Sequence, residues 1–104
     1  MPEARLPRPF SMHWGEGQIV EEARFEGKHA VPAIQLMRFD TGDAAGTYTL
    51  RFCHFNHRGQ FQRSPMMIGD AELDRLRDAI AETPEIRRLL QRLVAPAPAR
   101  RKAK

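Results

Sequence analysis

The chain has 104 residues and a mass of 11.9 kDa, with 17 lysines and arginines against 13 aspartates and glutamates, a formal charge of +4. That length suits one domain with no second core, and no run approaches the roughly 18 apolar residues of a membrane helix. A single cysteine, Cys53, excludes an internal disulfide framework and fits a reducing cytoplasm, and no apolar signal core opens the chain.

Residues 1–12 carry three prolines and little periodicity and read as a flexible lead-in. From Gln18 to Glu26, the set Ile19, Glu21, Ala23, Phe25 alternates with Gln18, Val20, Glu22, Arg24, the pattern of a half-buried strand. Val31 to Phe39 is a second apolar strand, with Pro32 suited to its start or to an edge. After a glycine-containing loop, Thr47 to His57 gives the strongest strand signal. There Tyr48, Leu50, Phe52 and His54 point one way, and Arg51, Cys53 and Phe55 the other. Asn56-His57-Arg58-Gly59 is a turn, and Gln60 to Ile68 returns as an antiparallel partner bent at Pro65. Asp70 then reads as a helix cap ahead of Leu73, Leu76 and Ile80. Thr83-Pro84 starts a second helix carrying Ile86, Leu89, Leu90 and Leu93. Residues 95–104 form a flexible basic Pro/Ala tail. The expected fold is α+β: a four-stranded antiparallel meander followed by one or two C-terminal helices packed on one face, all within a single domain, 13–94.

Divided along the chain, the charge changes meaning. Residues 13–94 sum to −1, and the tail alone carries +4 from Arg100, Arg101, Lys102 and Lys104. Inside the body only 46–69 is basic, with Arg51, Arg58 and Arg63 and no acid. This acid-free hairpin mixes aromatic, Arg, His, Asn and Gln side chains, the combination that holds single-stranded nucleic acid by base stacking and phosphate pairing. The same pattern also fits a core hairpin whose aromatics pack inward while its polar residues face solvent.

Other chemistry is poorly served. Cys53, His54 and His57 are too few for a zinc site, and the first two alternate across a strand. Cys53 with His57 has no orienting acid nearby, and no nucleophile elbow or phosphate-cradling loop is present. The expectation is a protein that is not an enzyme and uses no metal or cofactor. Its tail would add salt-sensitive attraction to a polyanion, or serve only as a solubilising terminus.

The hairpin from Thr49-Leu50-Arg51-Phe52-Cys53-His54-Phe55 through Gln62-Arg63-Ser64-Pro65-Met66-Met67-Ile68 runs into Gly69-Asp70-Ala71-Glu72-Leu73-Asp74-Arg75-Leu76. This run resembles the end of the single-stranded-DNA-binding domain of the transcriptional positive-cofactor family, where a strand pair enters a helix through a short apolar strand and an acidic cap of the Leu-x-x-x-Glu type. The Whirly and purine-rich-element-binding families share a related strand-strand-strand-strand-helix plan. The resemblance covers about residues 17–82. It implies a curved sheet, dimerisation through the helices, a transcription-related role and single strands lying across the sheet. Carried onto this chain, the nucleic-acid contacts fall on Arg51, Phe55, Arg58, Phe61 and Arg63. A second reading is a protein-interaction or assembly module that docks a partner by its free sheet face or by Ile86, Leu89 and Leu93. A homodimer would bury such a surface.

Overall fold

The computed structural model describes residues 5–62 and 65–98. Five strands run in chain order: β1 (Arg8–Met12), β2 (Gly15–Arg24), β3 (Val31–Phe39), β4 (Tyr48–Phe55) and β5 (Met66–Gly69). Each pairs antiparallel with the next, so the sheet is a simple meander in the order β1-β2-β3-β4-β5. A 3-10 turn, Asp70–Glu72, leads to helices α1 (Leu73–Ile80) and α2 (Pro84–Val94). Compact packing divides the chain between Glu72 and Leu73 into a sheet unit and a helical unit. Among the described residues, no helix is long and apolar enough to cross a membrane.

The sheet has five strands where the sequence suggested four. The extra one, β1, lies in the proline-bearing segment read as lead-in. Pro9 has no N–H to give, but an edge strand is laddered on one side only and tolerates it. Arg8, Phe10 and Met12 stand opposite Ile19, Gly17 and Gly15, and the Phe10 ring meets Phe39 edge-on at 5.0 Å. At the other edge the return strand is shorter than expected. Among the described residues of this segment, Met66–Gly69 joins the ladder and Phe61 makes an isolated bridge to Phe55.

The alternating residues of β3 define the two faces. Val31, Ala33, Gln35, Met37 and Phe39 are all buried, and the core of the unit lies on their side with Ile19 and Phe55. Burying the apolar side chains of Ile19, Val31, Met37, Phe39 and Phe55 contributes roughly 1.5–3 kcal/mol each. The β4 partners on this face are Thr49, Arg51, Cys53 and Phe55, as alternation predicts. Gly17 makes the close fit over Phe39 possible, since a Cβ there would lie 1.8 Å from the Arg38 carbonyl oxygen. The opposite face carries Ile34, Leu36, Leu50 and Phe52, half-buried. An open apolar groove of about 460 Å³ runs beside Leu6, Val20, Ala23, Ile34, Leu36 and Leu50 there.

In β2 the regular alternation fails. The pairing Ile19↔Met37 is followed by Glu21↔Leu36, so Val20 is a β-bulge. Past it every side chain changes face. Glu22 and Arg24 stand opposite the buried Gln35 and Ala33, and Glu21 and Ala23 turn to the groove side. Sequence alternation had placed Ile19 with Glu21 and Ala23; the bulge reverses that grouping.

Asp70 opens the 3-10 turn, whose Glu72 Oε1 accepts the N–H of Gly69 in β5 at 3.3 Å, and α1 begins at Leu73. Thr83 occupies the cap position before Pro84, but its hydroxyl donates to the Ile80 carbonyl at 3.0 Å and so closes α1 instead of capping α2. Arg77 with Asp74 and Asp78, and Arg88 with Glu85, are exposed pairs. Such pairs are worth little individually.

Candidate functional site

The bulge assembles a polar cluster on the core face of the sheet. Glu22 Oε2 accepts hydrogen bonds from Gln35 Nε2 at 2.7 Å, Arg8 Nη2 at 3.0 Å and Arg24 Nη2 at 3.1 Å. Gln35 is fully buried, and its Oε1 accepts from Arg51 Nε at 2.7 Å. One carboxylate and one amide thus hold three guanidiniums drawn from β1, β2 and β4. The Glu22 side chain is 6% exposed. Burial disfavours its charge, but the hydrogen bonds from Gln35, Arg8 and Arg24 outweigh that, and its pKa falls from the usual 4.5 to about 2. Glu22 is therefore ionised at any ordinary pH.

Two aromatic rings adjoin the cluster. The Arg24 guanidinium lies 4.5 Å over Phe55, and that of Arg51 lies 4.7 Å over Phe61. The rings meet each other at 5.6 Å, tilted by 71°. Phe55 is buried and covered by Arg24, so it acts as a platform for the guanidinium. Phe61 is 41% exposed and keeps accessible ring surface. Burial pushes the Arg51 pKa down, with the neighbouring Cys53 and Glu22 working against that fall.

Of the residues expected from sequence, Arg51, Phe55 and Phe61 come together. Arg58 stands apart, exposed in the turn where Asn56 Oδ1 accepts the N–H groups of Arg58 and Gln60 at 2.9 Å. Arg63 lies outside the described residues, as do the tail bases Arg100, Arg101, Lys102 and Lys104. Ile86, Leu89 and Leu93 line α2 at 51%, 50% and 62% exposure. Sequence reasoning passed over Arg8, Glu22, Arg24 and Gln35. A signal existed for one of them: Gln35 is the single polar residue among the five alternate positions 31 to 39. For Arg8, Glu22 and Arg24 there was none, because their placement depends on β1 and on the bulge.

Cys53 is half-buried against Val31, Ala33 and Phe55, and burial pushes its thiol pKa up. A thiol held protonated is a poor nucleophile. His54 faces the other side of β4. His57 Nδ1 lies 3.0 Å from Glu26 Oε1 and its Nε2 lies 3.2 Å from the Lys28 carbonyl, tying the β4–β5 turn to the β2–β3 turn.

What this arrangement offers is recognition of anions. The guanidiniums are planar multi-donor groups suited to phosphate or carboxylate, and a partly open aromatic ring lies beside one of them. Comparison of the chain with known protein-family models, with curated proteins and with solved structures finds no match.

Proposed function

We propose that the protein is a small non-enzymatic binding module that holds single-stranded nucleic acid at the partly exposed Arg51 and Phe61, at the margin of the buried face of its sheet. The observation that carries this reading is the Arg51 guanidinium lying 4.7 Å over the Phe61 ring, with Arg24 stacked on the adjoining Phe55. Such a surface offers donors to phosphates beside a ring on which a base stacks, without selecting a base sequence. The order of strands leading into a helix, which resembles the transcriptional positive-cofactor family, points the same way and suggests a transcription-related role. Fluorescence anisotropy with labelled DNA and RNA oligonucleotides over a salt series tests it. Affinity should fall with salt, and Arg51→Ala should flatten the dependence by about 0.7 in log–log slope if Arg51 neutralises one phosphate. Phe61→Ala should cost about 1–3 kcal/mol of binding. No binding at low salt would overturn the reading.

A second reading is favoured by α2. Its exposed Ile86, Leu89 and Leu93, joined by Val94 at 78% exposure, form an apolar stripe on an 11-residue helix. Contiguous apolar surface of this kind marks a partner site. A homodimer and a different protein both fit it, and neither conflicts with a nucleic-acid face on the sheet.

A further inference from the structure

Among the described residues, two donor atoms of the arginine cluster are buried without a partner. Arg8 Nη1 and Arg24 Nε are shut away from solvent and have no hydrogen-bond partner. The Nη2 atom of each is already committed to Glu22 Oε2. Charged donors left buried and unpartnered are costly, and such positions call for a partner the chain does not supply. The charge is unbalanced as well. Arg8, Arg24 and Arg51 are tied, directly or through Gln35, to the single carboxylate of Glu22, an excess of two positive charges.

Two of the three guanidiniums, Arg8 and Arg24, converge on one oxygen atom of Glu22, a compact centre of +1, and the third, Arg51, is linked to it through Gln35. A row of internal phosphodiesters, each carrying one charge and separated by a nucleotide, matches a line of separate cations better than such a centre. A phosphate monoester carries close to two negative charges on one tetrahedral group near neutral pH, with three acceptor oxygens. We infer that Arg8 and Arg24, oriented by Glu22, form a subsite for a terminal phosphate group. Arg8 lies on the edge strand β1 and its side chain is 22% exposed, against 15% for Arg24. Because both donors are shut away from solvent, the anion reaches them when the Arg8 side chain, on the edge strand, swings outward. Glu22 is the positioning residue: it holds one arm of each fork and leaves Arg8 Nη1 and Arg24 Nε for the ligand.

The strand-end form of this inference rests on the nucleic-acid reading above, with Arg51 and Phe61 taking the adjoining nucleotide. The same chemistry is offered by a free phosphate monoester, and the test separates the two. Thermal unfolding of the full chain is followed in inorganic phosphate and in chloride at equal ionic strength. Anisotropy is measured in parallel with oligonucleotides of one sequence ending in 5′-phosphate, 3′-phosphate or hydroxyl. Phosphate should raise the Tm above that in chloride, and one phosphorylated end should bind about tenfold more tightly than the hydroxyl end, the worth of an added charge-assisted hydrogen bond. Both effects should be lost in Arg8→Gln, which sits at an edge and is the gentler change, and in Arg24→Gln. Phosphate stabilisation without any oligonucleotide binding supports the subsite, with a free monoester as ligand, and removes the nucleic-acid reading. Oligonucleotide binding indifferent to the end group, with phosphate no better than chloride, overturns the subsite and leaves the nucleic-acid reading standing. Phosphate stabilisation that persists unchanged in folded Arg8→Gln also overturns it, since the anion then binds elsewhere.

Discussion

Glu22 is the residue on which the arginine cluster turns. It accepts three of the four hydrogen bonds that hold Arg8, Arg24, Gln35 and Arg51 together, and Gln35 passes its influence on to Arg51. Because its folded pKa of about 2 lies below the usual 4.5, Glu22 contributes stability that is complete above pH 4.5 and is lost as pH falls toward 2. The contribution is on the order of 3 kcal/mol. Urea unfolding of wild type and Glu22→Gln at pH 7 and at pH 2 checks this. The variant should be about 3 kcal/mol less stable at pH 7, where it leaves arginines facing no counter-charge. That gap should close at pH 2, where the wild-type carboxyl is taking up its proton. A gap that stays constant with pH would mean that Glu22 acts through packing alone. Gln35 shows how such a residue is half-legible in sequence: its polarity stands out in a buried strand, but its partners lie 13 and 16 positions away.

Among the elements, β2 decides which side chains meet. Its bulge at Val20 moves Glu22 and Arg24 onto the core face, and with Val20 paired in register they would face the groove. Deleting Val20 should remove the bulge yet keep Glu22 opposite Gln35 and Arg24 opposite Ala33, because Ile19↔Met37 is followed directly by Glu21↔Leu36. The expected result is cooperative unfolding that keeps the fall in stability toward pH 2, read by circular dichroism during thermal unfolding at pH 7 and pH 2. Loss of cooperative unfolding, or of that pH dependence, would show that Glu22 no longer meets its arginines once the bulge is gone. The helices follow their sequence closely, because a stripe at helical spacing is a local property. In α2, replacing Ile86, Leu89 and Leu93 together by Ser should leave helix content near wild type. It should also lower any self-association measured by sedimentation, and an unchanged oligomeric state would exclude the stripe as a contact between copies.

For the molecule as a whole, net charge misleads. Residues 1–94 sum to zero, so the formal +4 is the charge of residues 95–104. The arginine cluster nevertheless concentrates an excess of two positive charges on one face of the sheet, and a local field of this kind steers a ligand regardless of the total. A chain ending at Val94 should still bind oligonucleotide at low salt, with a shallower salt dependence than the full chain in the same anisotropy assay. Complete loss of binding would assign the affinity to the tail and favour the protein-interaction reading.

By itself the sequence determined what depends on near neighbours. The alternation of β3 and β4, the turn at Asn56–Gly59 and the two helices with their apolar stripes all arise from spacing within a few residues. The joining of Arg51, Phe55 and Phe61 on one face was legible for the same reason, because they belong to one hairpin. Only the tertiary structure decided that β1 exists as an edge strand, that β2 changes face at Val20, and that Arg8, Glu22, Arg24 and Gln35 form one cluster. These are matters of register between strands, and a shift of one residue exchanges the two faces of a strand while barely altering its local pattern.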